Sequence, residues 1–134
     1  MSGVAWVRAA GTHHSGEYAD AVVVPAGTRL VLLAGSCPLA PDGSTVAVGD
    51  VAGQATACVA TLRTALAAAG AGLEDVVSTR VLVATTRQAD LVTAWDAVRA
   101  ALGAHEPPST LLGVTVLGYD DQLVEVEAVA ALPG

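Results

Sequence analysis

Two carboxylates stand on one side of an otherwise apolar run near the C-terminus, Leu123-Val124-Glu125-Val126-Glu127-Ala128-Val129. In an extended chain successive side chains point to opposite faces, so Leu123, Glu125, Glu127 and Val129 share one face while Val124, Val126 and Ala128 share the other. The second set is wholly apolar and reads as core. Carboxylates are rarely buried unless paired or used, so the first set marks either a cleft or a subunit seam. A carboxylate so placed can relieve a water molecule of a proton, which makes Glu125 and Glu127 the first residues to weigh for chemistry.

Other reactive side chains offer less. Cys37 follows Gly35 and Ser36 and invites a nucleophile reading, but no base can be assigned to it from the sequence, and a small buried residue is the simpler account. Cys58 falls on the apolar stripe of a helix and reads as core. The two cysteines are too far apart for a C-x-x-C pair, and His13 and His14, adjacent in a Gly/Ser loop with no third ligand, make a poor metal site. Arg80 lies in a strand, where a salt bridge is its ordinary use.

The elements that must position these groups follow from period and punctuation. Residues 4–8, 21–24 and 29–34 read as strands, separated by a polar loop and by the turn at Pro25-Ala26-Gly27. From Asp50 the period changes: Val51, Ala55, Cys58, Val59, Leu62 and Leu66 recur at steps of three and four, with Asp50 as N-cap and Gly70 as stop. Residues 75–84 form a strand, 88–102 a second amphipathic helix capped by Gly103, and 110–116 and 122–131 two closing strands. Three strands, a helix, a strand, a helix and two strands predict an α+β domain of about six strands with both helices on one sheet face.

Composition sets the boundaries. At 134 residues the chain is one domain, 1–134. It is 53% hydrophobic and only 14% charged, so its surface must carry apolar patches, and self-association is expected. Lys is absent and all six cations are Arg; with a net charge of -7 and no basic cluster, nucleic acid is disfavoured as a partner. No run of about 18 apolar residues suggests a membrane span, and Met1-Ser2-Gly3 lacks a basic secretory start, so a cytosolic protein is expected.

Five segments in order resemble a known family. Gly16-Glu17-Tyr18-Ala19-Asp20-Ala21, Leu33-Ala34-Gly35-Ser36-Cys37-Pro38-Leu39, Gly49-Asp50-Val51-Ala52-Gly53-Gln54, Ala68-Ala69-Gly70-Ala71-Gly72-Leu73-Glu74-Asp75-Val76-Val77 and Val124-Glu125-Val126-Glu127-Ala128-Val129-Ala130 are similar to successive signature stretches of the RidA/YjgF family, the reactive-intermediate imine deaminases. The resemblance implies a chorismate-mutase-like fold and a homotrimer with three clefts at its subunit interfaces. It implies hydrolysis of imines or enamines to ketones and ammonia, with no metal and no cofactor. Glu125 falls where the family places its water-activating carboxylate, and Tyr18, Gly35, Ser36 and Cys37 fall where the cleft is lined. Trp95 either narrows that cleft or packs between helix and sheet.

One family feature is missing. For 2-imino acids the resemblance implies an Arg just after a Pro in the penultimate strand region, where it would grip the substrate carboxylate in a two-pronged pair. Here that region reads Pro107-Pro108-Ser109-Thr110-Leu111-Leu112-Gly113-Val114, which puts Ser109, or with a shifted gap Thr110, at the Arg position. Arg99 is the last cation in the chain. Losing one partner of a desolvated charge pair costs roughly 2–5 kcal/mol, so a substrate without the carboxylate is the better candidate. The first expectation is an enzyme that hydrolyses, or tautomerises, such an imine or enamine; the rival is a catalytically silent trimer that binds a ligand or regulates through the same cleft.

Overall fold

Asp50 starts the first helix as expected. Its carboxylate accepts a hydrogen bond from the Gly53 N–H at 2.9 Å, satisfying one of the donors that a helix start leaves open. Helix α1 (Val51–Ala68) stops where Gly70 turns to φ 81°, and the Ala71 and Gly70 N–H groups close back on the Leu66 and Ala67 carbonyls. The computed structural model describes residues 3–13 and 16–134, so His14 of the paired histidines lies outside the described residues.

Among the described residues six strands accompany two α-helices. Strands β1 (Ala5–Val7) and β2 (Ala21–Val23) pair with each other as a short antiparallel ribbon. Strands β3 (Arg29–Leu32), β4 (Val76–Ala84), β5 (Ser109–Val114) and β6 (Val124–Leu132) form a mixed sheet in the order β3-β6-β4-β5. The β4–β5 pair is parallel, with helix α2 (Gln88–Leu102) as the crossover between them; the other pairs are antiparallel. Element bounds differ from the sequence reading by a few residues at most, because strand ends are decided by pairing with distant segments and not by local pattern.

The alternation read in β6 is observed. Val124, Val126, Ala128 and Ala130 are buried against the helices, together with Val81 and Val83 of β4, while Glu125, Glu127 and Val129 are half-exposed on the other face. From α1 the core receives Ala55, Cys58, Val59, Leu62 and Leu66, and from α2 Ala94, Val98 and Leu102, each set spaced by three or four residues. No helix covers the second sheet face. There Leu30 and Leu32 remain 56% and 77% exposed, which is a large apolar area for a chain of this size to leave in water.

One polar residue sits fully buried in the α1 stripe. Gln54 accepts a hydrogen bond from the Leu123 N–H at 2.7 Å and donates to the carbonyl of Asp121 at 2.9 Å, fastening the turn that leads into β6. Gln54→Leu keeps the volume and leaves the Leu123 N–H without its partner. Each orphaned buried group costs about 1–3 kcal/mol, so the urea midpoint of this variant is expected to fall clearly below wild type; an unchanged midpoint would show that the turn holds without the amide.

Candidate functional site

The residue types of the β3 extension and of β6 meet around one carboxylate. Ser36 pairs with Val126 through two backbone hydrogen bonds of 2.7 and 3.0 Å, which carries the chain after β3 alongside β6 and sets Cys37 beside Glu125. The Cys37 thiol donates to Glu125 Oε1 at 3.1 Å, and the Gln122 side-chain amide donates to the same oxygen at 3.2 Å. Gln122 is itself buried and held by the Tyr119 N–H and the Val124 carbonyl.

Glu125 Oε2 is left for other work. It accepts no hydrogen bond within the described residues, and none of their buried side-chain oxygens lacks a partner, so Oε2 reaches solvent. Gly35 makes the room for it: a Cβ at that position would overlap Oε2 and lie 2.7 Å from Cδ. Any side chain at position 35 would therefore displace the carboxylate. Ser36, by contrast, is buried and stands behind the cluster, where its backbone props it.

Cys37 is a donor here and a weak nucleophile. Burial, followed by the hydrogen bond and the negative charge of Glu125, pushes its thiol up to about 11 against the opposing effect of Gln122. Burial pushes Cys58, in the core, up to about 12. Glu127 points to the same open face as Glu125 but is engaged by Arg80 at 3.6 Å, both side chains being about half exposed. No group of three or more His, Cys, Asp or Glu among the described residues is placed to hold a metal ion.

A second cluster forms at the far edge of the sheet. Tyr18, Trp95, Ser109 and Leu111 line a cavity of about 200 Å³, with the Tyr18 and Trp95 rings edge to face at 6.3 Å. Ser109 accepts a hydrogen bond from the Thr79 hydroxyl at 2.7 Å. Thr110, next along β5, turns to the open face opposite Arg80. The loop carrying Tyr18 is tied down by charge: Arg8 donates to the Tyr18 carbonyl and to Glu106, while Arg99 bridges Glu17 and Glu106. The Ala19 N–H adds a bond to the Glu106 carbonyl. At roughly half-exposed positions such pairs add little stability, and their effect is to fix the loop.

Sequence reasoning named the residues of both clusters but not their separation. Glu125 stands opposite Leu82 of β4, whereas Ser109 stands opposite Thr79, three residues back and on the other side of that strand. With ~3.3 Å per residue and ~4.8 Å between strands, their Cα atoms lie about 14 Å apart, and the side chains leave opposite faces of the sheet. One copy of the chain therefore does not join Glu125, Gly35 and Cys37 to Tyr18, Trp95 and Ser109. The sequence reading also gave Gln122 and Gln54 no role. The signal for Gln54 was an amide inside an apolar helical stripe; for Gln122 there was none, since its role depends on a turn.

The thiol makes the Glu125 cluster testable without a substrate. With its pKa near 11, about one Cys37 in a thousand is thiolate at pH 8, so alkylation by iodoacetamide should be slow. Glu125→Gln removes the charge that favours the protonated thiol, so the pKa should fall towards the ordinary value and alkylation at pH 8 should quicken several-fold. Mass spectrometry of Cys37 against time reads this directly, and an unchanged rate would mean that the two side chains do not touch in solution.

Known proteins share this architecture. The sequence pattern of the family described as Endoribonuclease L-PSP, the RidA/YjgF family, matches residues 10–132. A Rid-family protein of unknown function from Yersinia pestis, YyfB, is 27% identical, with a TM-score of 0.88 over 96% of this chain and 98% of that one. Rv2704 of Mycobacterium tuberculosis, a member of the YjgF/YER057c/UK114 family, is 28% identical, with a TM-score of 0.64 over 96% and 99%. RidA of an Antarctic Psychrobacter, 23% identical with a TM-score of 0.68 over 94% of each chain, shares the fold. Among curated proteins none matches by sequence. The two helices on a mixed sheet are the chorismate-mutase-like arrangement of these proteins, and with its pattern matched over almost the whole length the chain belongs to the RidA/YjgF family.

Proposed function

We propose that this protein is a homotrimeric hydrolase of small imines or enamines, acting in the cytosol without metal or cofactor, with Glu125 as its base. The observation that carries the reading is the state of Glu125: one oxygen is held by Cys37 and Gln122, and the other is presented to solvent over Gly35. A carboxylate fixed in this way can take a proton from water through Oε2 while the water oxygen bonds to the imine carbon. Returning that proton to nitrogen gives the neutral carbinolamine; its hydroxyl then passes a second proton through the same carboxylate to nitrogen, the C–N bond breaks as the C=O bond forms, and ammonia leaves with Glu125 ionised again. Fixing Oε1 in advance lowers the reorganisation that the step requires.

The trimer completes the cleft. The exposed Leu30 and Leu32 on the uncovered sheet face support burial against another copy, and an interface there would set the Glu125 cluster of one subunit against the Tyr18, Trp95 and Ser109 cluster of the next. Light scattering is expected to give a trimer mass at micromolar concentration. A monomer would remove this construction of the site.

Substrate scope follows from the missing cation. No Arg follows position 99, and Ser109 offers a hydroxyl where the family places its carboxylate clamp. The 2-imino acids generated by an amino-acid oxidase should be hydrolysed little faster than background, whereas imines generated from neutral amines by an amine oxidase should be accelerated. For the accelerated imine, Glu125→Gln is expected to lower the rate by about 10²–10⁴-fold with the melt and trimer mass unchanged. Glu127→Gln, whose loss affects the Arg80 pair, should keep most of the rate. Full activity in a folded Glu125→Gln trimer would sink the mechanism.

A second reading rests on the same missing Arg: a silent trimer that holds a ligand in the cleft, in which neither variant has a rate to lose. An RNase reading, suggested by the family description, has less behind it. The net charge is -7, and three of the six Arg, Arg8, Arg80 and Arg99, are engaged by carboxylates, which disfavours a phosphate backbone as partner.

A further inference from the structure

We infer that the cavity between Tyr18, Trp95, Ser109 and Leu111 is a slot for a flat, neutral ring carrying a hydrogen-bond acceptor, and that it selects the substituent on the imine; this rests on the reading of the protein as an imine hydrolase. Size is the first argument. The cavity holds about 200 Å³, and an apolar cavity of about 150 Å³ is known to take a benzene ring. One six-membered ring with a small polar group matches that volume.

Chemistry is the second. Two aromatic rings meeting edge to face at 6.3 Å, with Leu111 beside them, offer π-faces and edges to a third ring. The Ser109 oxygen already accepts from Thr79, so its own hydroxyl hydrogen is the one left to give. The slot therefore has one donor for one acceptor, such as an amide carbonyl on the ring.

Charge is the third. The adjoining concavity, lined by Tyr18, Asp20, Arg80, Ser109 and Thr110 among others, has a single cation, and Arg80 is already 3.6 Å from Glu127. With Arg80 paired to Glu127, the residues lining the slot and this concavity offer an anion no spare cation, so a carboxylate would lose its water without a charge partner where a neutral group would not. A carboxylate-bearing ring is thus the wrong occupant, although it has the same shape.

Benzamide and benzoate separate these cases, with cyclohexanecarboxamide as the non-planar control. Each is titrated into the ¹⁵N-labelled full-length protein, following the Trp95 indole N–H and the Ser109 amide. Benzamide should shift both with a dissociation constant of about a millimolar, the range open to a single ring, and at least tenfold tighter than either of the others. Trp95→Leu, which keeps an apolar residue of helical propensity, should weaken benzamide at least tenfold as read at Ser109. Ser109→Arg should reverse the preference towards benzoate.

Benzoate binding as tightly as benzamide in wild type, or no shift at either residue, overturns the slot without using any variant. If benzoate binds and Arg80→Gln abolishes it, the anion site belongs to Arg80 and the proposal falls. Glu125→Gln should leave benzamide affinity unchanged while lowering turnover by about 10²–10⁴-fold, so the two readings fail separately: lost benzamide binding with hydrolysis retained rejects the slot, and benzamide binding with no imine hydrolysed rejects the enzyme.

Discussion

Strand β6 lies between β3 and β4, and its pleat has to satisfy two environments at once. Every second side chain enters the core beneath the helices, and the ones between face an uncovered sheet surface. Because the period of a strand is two, the positions of Val124, Val126, Ala128 and Ala130 in the core fix where Glu125 and Glu127 must stand. A slip of one residue would bury both carboxylates and expose the valines, so the hydrophobic core itself holds the register of the candidate base. The remainder of the Glu125 cluster is built on that register: Ser36 pairs with Val126, Cys37 arrives opposite Glu125, and Gly35 leaves the space that its carboxylate fills.

Local signals were legible to the extent that local physics decides them. Asp50 caps α1, Gly70 and Gly103 end helices with positive φ, and the two faces of β6 separate as period two requires. What escaped was set by contacts far apart in sequence. Gln54 reads as a flaw in an apolar stripe until the turn 69 residues later supplies its partner, and the donor that Gln122 gives to Glu125 depends on the same turn. The division of the named residues into two clusters was illegible for a similar reason. Ser109 and Thr110 are neighbours in sequence but leave opposite faces of β5, and only the pairing with Thr79 and Arg80 says which goes where.

Scarcity of cations shapes the rest of the surface. With six Arg and no Lys against thirteen acidic residues, two of the positive charges are employed where a loop must be fixed. Arg8 and Arg99 both reach Glu106 and together anchor the loop that presents Tyr18; Arg80 occupies Glu127. Glu125 is left with donors that carry no charge, the Cys37 thiol and the Gln122 amide. Neutral donors of this kind orient the carboxylate through hydrogen bonds alone.

The same scarcity bears on how a family cleft changes its ligand. On the proposed reading, with Ser109 where the resemblance implies a clamp Arg, no polar hole is left, because the Ser109 oxygen accepts from Thr79 and the adjoining space is walled by Trp95 and Tyr18. An uncompensated polar cavity would cost stability as well as affinity; an aromatic wall with one hydroxyl costs neither and still fixes orientation. Specificity of this kind arises as much from what the site repels as from what it holds. On the proposed reading, the pairing of Arg80 with Glu127 leaves an anion no spare cation there, the rings take a flat neutral group, and the candidate base stands on a different sheet face. On the proposed reading catalysis and selection are thus carried by separate elements of the chain, so one can vary without disturbing the register that holds the other.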